Sequence, residues 1–322
     1  PMINPPSIAP GSTPTPPRTA EVIVFMTQGA EEKNFALLQR ELAPLELQPV
    51  IVPLGGDQDE LWEIFNALND AVMDGDEIAM DITNGQRSLP FLALLTAAFM
   101  KTARDINVKH ILYGAFDVAK SLNAEHTPIF DLSEMLNLLD WSVAADRFIR
   151  FGDSADMAKL LIDRSHQIKK AGHYESRINA QVEPFEDTAK SLGVVTDALA
   201  LLRPYDAMVK IDKLDKNIKQ VASASVHDKR FSPLYRLLEK IDGSYSAFGN
   251  PAPESGGDDE IAKTLEQERK LIFWYRDHGY WVQAVSLARE WLVSWVMYRS
   301  GELDLLNDDS RTKTEFEINS FT

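Results

Sequence analysis

Four short apolar runs, at residues 21–26, 48–53, 78–80 and 108–113, set the frame of this chain. They have strand length and β-branched character, and helical spacing fills the gaps between them. Phe35, Leu38 and Leu42 follow the first run; Leu61, Ile64, Phe65, Leu68 and Val72 share one helix face after the second. An almost unbroken apolar helix, from Leu89 to Met100, follows the third. Strand and helix alternating at about 25–30 residues build βαβ units around a parallel sheet. The amino-terminal part is therefore expected to be an α/β Rossmann-like domain with a mostly parallel sheet.

Open α/β sheets bind ligands outside the carboxyl ends of their strands, so the turns that follow the strands are the candidate site. Thr27, Gln28 and Gly29 follow the first strand; Asp81, Thr83, Asn84, Gly85, Arg87 and Ser88 follow the third; Gly114, Ala115 and Phe116 follow the fourth. The middle turn suits an anion. Gly85 permits close backbone approach, Thr83 and Ser88 offer hydroxyls, Asn84 an amide, and the helix start offers free N–H groups. Arg87 adds a planar charged fork that matches phosphate oxygens. The competing reading is a capped turn with a surface arginine. No GxGxxG fingerprint is present: Gly29 stands alone and no acidic residue ends the second strand, which argues against a nicotinamide dinucleotide enzyme.

After residue 130 the pattern changes. Helical spacing runs through 131–140, 141–148, 153–169, 186–202 and 205–221, then from 261 onward and through 280–298, so an all-α half is expected. The Pro-Ala-Pro and Gly-Gly stretch at 250–259 reads as a loop. Residues 1–19, rich in proline, serine and threonine, read as a disordered or extended tail without the apolar centre of a signal peptide. The expected organisation is a tail at 1–19, a Rossmann-like domain at 20–140, and a helical linker and helical domain at 141–322.

Trp281, Val285, Ala288, Trp291, Leu292 and Trp295 fall on one face of a late helix. A bundle core is the first reading of that face. Arg289 and Glu290, on the same helix, either turn away from the stripe or form a partly buried polar pair.

A length of 322 residues suggests two domains, since single cores stop growing near roughly 250–300 residues. A net charge of −16 argues against broad electrostatic binding to nucleic acid or to an anionic membrane. The absence of cysteine excludes disulfides and thiolate chemistry and fits a cytoplasmic protein. No run approaches the ~20 apolar residues of a membrane span. The six histidines form no metal-binding spacing, so no metal is expected.

The stretch DITNGQRSLPFLALLTAAF, with PLGGDQDELWEIFNALNDAVMDGDEI before it and ILYGAF and TPIFDLSEMLNLLDWSVAADRFIRFGDSADM after it, resembles CRISPR-associated CARF-domain proteins. It is most similar to the branch that joins CARF to a carboxyl-terminal HEPN domain. That branch commonly shows Asp-Ile-Thr-His-Gly-Phe-Arg-Ser-Leu-Pro, and here Asn84 takes the histidine place and Gln86 the phenylalanine place. The resemblance covers roughly residues 21–160 in order and spacing.

This resemblance implies a homodimeric sensor that binds cyclic tetra- or hexa-adenylate as an activating ligand, with no cofactor. It also implies a second reading of the late tryptophan-bearing face, a seam between paired helical domains, and makes Arg289 and Glu290 candidates for scaffolding a site. The family's ligand motif maps onto Asp81, Thr83, Asn84, Gly85, Arg87 and Ser88, with Thr27, Gln28, Gly29, Gly114, Ala115 and Phe116 as flanking loops. An amide at position 84 donates and accepts hydrogen bonds but does not titrate near neutrality as imidazole does. The resemblance also implies an HEPN-like helical domain that cuts single-stranded RNA without metal, using arginine and histidine in Arg-x(4–6)-His spacing. No such pair is expected in this chain: His166 and His278 follow Arg164 and Arg276 by two positions, and no histidine follows His278. Residues 308–322 read as a segment boundary; either the chain continues past Thr322, or internal residues are missing, or the effector is inactive, and the first two are the favoured expectations. The leading function is a cyclic-oligoadenylate-activated endoribonuclease of type III CRISPR immunity. The alternatives are a sensor with a non-nucleolytic helical domain, and a ring nuclease that uses Thr83, Asn84 or Ser88.

Overall fold

The computed structural model of the chain describes residues 21–84, 89–122, 125–171, 177–225, 232–253 and 257–320. It divides into two compact units, Pro1–Leu136 and Asn137–Thr322. The first is α/β with a Rossmann-like alternation and the second is helical. Among the described residues no helix is long and apolar enough to cross a membrane.

In the first unit β1 (Val22–Met26), α1 (Gln28–Glu41), β2 (Leu47–Ile51), α2 (Gln58–Asp70), β3 (Glu77–Asp81), α3 (Leu89–Ala103), β4 (Asn107–Gly114), α4 (Phe116–Leu122) and β5 (Ile129–Asp131) follow in order. The strands form two ladders rather than one continuous sheet: β1–β2 and β3–β4–β5. β1 runs parallel to β2 from Val22 opposite Leu47 to Met26 opposite Ile51. β3 runs parallel to β4, ending with Asp81 opposite Leu112. β5 returns antiparallel, with Leu112 opposite Asp131 and Gly114 opposite Ile129. Two of the three pairings are therefore parallel, as the strand–helix alternation requires.

The core under β3 and β4 is small. Ala97, Ile111 and Leu136 are buried, and Met80, Ile82, Leu94 and Val108 pack against them. Asp131 ties the end of β5 to α5 (Ser133–Phe151): its carboxylate accepts from the Ser133 N–H at 2.9 Å and the Ile111 N–H at 3.3 Å. His110 Nδ1 lies 2.6 Å from the other oxygen. That histidine bond, with the amides, holds the carboxyl well below the usual carboxylate range.

The second unit holds the rest of α5, then α6 (Ala155–Ala171), α7 (Arg177–Ala200), α8 (Pro204–Ser225), α9 (Ser232–Tyr245), a 3-10 turn at Ser246–Phe248, α10 (Asp258–Asp277), α11 (Trp281–Arg299) and α12 (Asp308–Ser320). Its core gathers Phe148, Leu161, Leu192, Leu214, Leu238, Tyr245 and Trp274. Two buried phenols close it with hydrogen bonds to helix-end carbonyls: Tyr245 donates to Phe148 at 2.7 Å, and Tyr275 to Leu199 at 2.6 Å. Burial pushes both phenol pKa values above their ordinary value. Gly152 ends this crowding at φ +66°, where an added Cβ would sit 3.3 Å from the Trp274 ring. A side chain would be strained there by both backbone and space.

Several expectations change. The helices expected at 131–140 and 141–148 are one helix, α5, preceded by the strand β5. α9 was not anticipated, and the segment expected to read as a boundary forms α12, with Thr314 buried and Ile318 packed against Val293 and Met297. The tryptophan stripe is not the bundle core. Trp281 is 62% exposed, Val285 68% and Trp295 40%, while Ala284, Leu287, Val293 and Met297 of the same helix are buried. α11 has two apolar faces, and the buried one sets Val293 and Met297 in a cluster with Ile261 and Leu265 of α10. Trp291 is the member of the stripe that turns inward, donating its indole N–H to the Leu265 carbonyl at 2.8 Å.

Candidate ligand-binding site

Two of the three expected turns meet at the carboxyl ends of β3 and β4. The strands are paired parallel, so residues just beyond Asp81 and Gly114 leave the ladder side by side. Asp81 folds its own turn: its carboxylate accepts from the Thr83 N–H at 2.8 Å. Thr83 then reaches across, and its Oγ1 accepts from the Gly114 N–H at 2.7 Å. Glycine at 114 eases that approach, since an added Cβ would lie 3.0 Å from the Thr83 methyl carbon. Ala115 follows, buried, with its N–H donated to the Pro128 carbonyl at 2.9 Å.

These bonds change what the site has to offer. The amides of Thr83, Gly114 and Ala115 are all consumed in shaping the two turns, and the Ala115 side chain faces the interior. What is left outward is chemistry on side chains: Asn84 is exposed, and Phe116, at the first position of α4, is 57% exposed. Gly85, Gln86, Arg87 and Ser88 lie outside the described residues. We expect Thr83→Val to cost about 1 kcal/mol of stability by stranding the Gly114 N–H, and to loosen both turns. Urea unfolding of the variant checks the first effect, and amide exchange at Gly114 the second.

The first turn stands apart. Thr27 is the N-cap of α1, with its Oγ1 accepting from the Ala30 N–H at 3.3 Å. Gln28 and Gly29 are therefore in the first helical turn rather than in a loop, because the capping threonine starts the helix earlier than the apolar spacing suggests. Among the described residues, no hydrogen bond links Thr27, Gln28 or Gly29 to the β3 or β4 turn.

In the helical unit, Arg289 and Glu290 form the polar pair that the sequence suggested, and they belong to a longer chain of charges. Arg289 Nη1 donates to Glu290 at 3.0 Å and Nη2 to Glu315 at 3.3 Å. Glu290 in turn accepts from Arg311 Nη2 at 2.8 Å. Arg311 also donates to Ser294 Oγ at 3.0 Å and to the Leu305 carbonyl at 2.9 Å. Arg311 carried no recognisable signal in the sequence.

Against the expectation of no such pair, arginine–histidine spacing of the nuclease type does occur once in the chain, outside the helical half, at Arg104 and His110. Both side chains are already engaged. Arg104 pairs with Asp74 at 2.7 Å and donates to the Asn69 carbonyl, while His110 pairs with Asp131. Among the described residues, no group of three or more His, Asp or Glu side chains is placed to hold a metal ion.

Residues 137–250 match the family model described as CRISPR-associated protein MJ1674, second domain. The matched segment begins at the first residue of the helical unit. The chain is also similar to CRISPR-associated protein MJ1674 of Methanocaldococcus jannaschii, with 36% identity over 121 residues. That alignment covers 37% of this chain and 19% of the relative, so the shared part spans about a fifth of the relative's length. Both findings are likenesses to a CRISPR-associated protein, each over little more than a third of this chain.

Proposed function

We propose that this CRISPR-associated chain is a cyclic-oligoadenylate sensor whose helical domain acts on RNA when the ring is bound. The observation that carries the reading is the Thr83–Gly114 hydrogen bond, which holds two turns together at the carboxyl ends of adjacent parallel strands. That edge is where a ligand fits an open α/β sheet. Asn84 offers an amide and Phe116 an exposed ring on which an adenine stacks. In this reading Arg87 and Ser88 supply the phosphate contacts, together with the close approach at Gly85.

The ring is itself symmetric, and two copies of the sensor suit it better than one. The exposed stripe on α11 supplies a seam for pairing the helical domains. Trp281, Val285, Leu292 and Trp295 are all exposed and repeat at intervals of four, seven and three residues. This is close to the 3.5-residue repeat of a helix–helix seam. Joint replacement Val285→Glu and Trp295→Glu is expected to weaken self-association by about 2 kcal/mol or more. Sedimentation equilibrium measures it, and an unchanged association constant removes this face from the dimer.

Ligand at the sensor drives the helical domain only if it binds one of two states more tightly than the other. The reading is tested by incubating the protein with single-stranded RNA, with and without cyclic tetra- and hexa-adenylate, in the presence of a chelator. Ring-dependent, chelator-resistant cleavage is the expected result. Ring binding without cleavage leaves a sensor with a non-nucleolytic helical domain. Loss of the ring over time would instead identify a ring nuclease working through Thr83, Asn84 or Ser88.

A further inference from the structure

The helical unit contains a cavity of about 800 Å³ where the start of α8 meets α10, α11 and α12. The volume suits a small organic ligand, for which pockets of roughly 300–1,000 Å³ are usual. Its walls carry Arg203 and Asp206 from the α7–α8 corner, Glu268 from α10, Arg289 and Glu290 from α11, and Arg311 from α12. Most of these charges are satisfied: Arg311 and Arg289 share Glu290, Arg289 also reaches Glu315, and Asp206 lies 3.6 Å from Lys210.

Two are not. Glu268 is 4% exposed, and its Oε2 is fully buried with no hydrogen-bond partner among the described residues. Arg203, which lines the same cavity, is exposed and has no ion pair among the described residues. A buried carboxyl without a donor is costly, and in a folded protein such a group normally finds a partner. Here the cavity beside it leaves room for one supplied from outside. The unmatched groups also differ in depth, with a carboxyl inside and a guanidinium toward solvent.

We propose that this cavity binds a small molecule that presents a guanidinium or ammonium group to Glu268 and an anionic group to Arg203. The inner contact would be a charge-assisted pair in a site shielded from water, where such pairs are strongest. The outer contact, at an exposed arginine, orients the ligand and contributes less. Arg311 and Arg289 do not compete for the ligand's anion, since each already holds a carboxylate. This site is independent of the ring sensor in the other unit.

The pH response supports the assignment. Burial, opposed by the charge of Arg311 and aided by that of Glu290, pushes the Glu268 carboxyl up to about 7. The groups around it are Arg311 from α12, Arg289 and Glu290 from α11, and Arg203, Tyr205 and Asp206 from the α8 start. A cationic ligand selects the ionised carboxylate, so binding should release a proton near neutrality. Affinity should then rise about tenfold between pH 6 and pH 8.

The test is calorimetric titration of the full chain with 4-guanidinobutyrate, which has a guanidinium at one end and a carboxylate at the other. Butyrate, which lacks the cation, and agmatine, which lacks the carboxylate, serve as comparators. For a ligand of this size saturable binding is expected at millimolar concentration or below. Butyrate should not bind. Glu268→Gln should weaken 4-guanidinobutyrate at least tenfold, and Arg203→Ala should weaken it severalfold while leaving agmatine unchanged. Circular dichroism and a melting curve establish that each variant is folded. No saturable binding of 4-guanidinobutyrate to about 10 mM, or equal binding by wild type and Glu268→Gln, overturns the proposal.

Discussion

Replacing Glu268 by glutamine is expected to stabilise the helical unit at pH 8 by about 3 kcal/mol, despite removing a charge from a site rich in arginine. The carboxyl is raised from 4.5 to about 7 in the folded protein, chiefly by burial. In that window the folded state binds more protons than the unfolded one. Stability from this group is therefore fully present below pH 4.5 and is lost as pH rises through 7. Above that pH the folded protein carries a largely buried ionised carboxylate whose Oε2 has no hydrogen-bond partner among the described residues. Glutamine keeps the shape and removes the ionisation. Urea unfolding followed by tryptophan fluorescence reads the helical unit, since five of the six tryptophans, all but Trp62, lie in it. The advantage of Glu268→Gln should shrink as pH is lowered toward 5. A difference that stays constant with pH would mean that Glu268 titrates normally.

The second large effect concerns the ring. Arg87→Ala is expected to weaken cyclic-oligoadenylate binding by about 1.5–3 kcal/mol, or roughly ten- to a hundredfold, the scale of a charge-assisted hydrogen bond. The expectation comes from the type of residue and its place in the turn after β3. The internal hydrogen bonding of that turn sharpens it. With the Thr83, Gly114 and Ala115 amides all taken by Asp81, Thr83 and Pro128, backbone donors from these three residues are not free to replace a lost guanidinium. Calorimetry with cyclic tetra- and hexa-adenylate provides the measurement, and unchanged affinity would place Arg87 outside the site.

Legibility from sequence followed the range of the interactions concerned. β1 and β4 stood out because continuous β-branched runs have little other use in a soluble chain. The start of α1 was missed by several residues because apolar spacing was weighed above the cap, although Thr27 was in plain view. α9 was also available: Leu234, Leu238, Ile241 and Tyr245 recur at helical spacing and all are buried. β5 was not available. Its three residues are exposed, and it exists through pairing with β4 and the clasp of Asp131 by His110 and two amides. The same holds for Arg311 and Glu268, whose local sequences are charged and look like solvated helix faces.

The sequence by itself determined the order of the first four strands and the helices between them, the division into an α/β part and a helical part, and the turns at which a ligand would be sought. Those are matters of local periodicity and turn chemistry, which a few neighbouring residues decide. Only the tertiary structure decided that Thr83 locks onto Gly114, that the tryptophan stripe of α11 faces outward, and that Glu268 is buried with no donor. Each depends on groups 22 to 43 residues apart or on which of two apolar faces packs first. No local pattern encodes the burial that results.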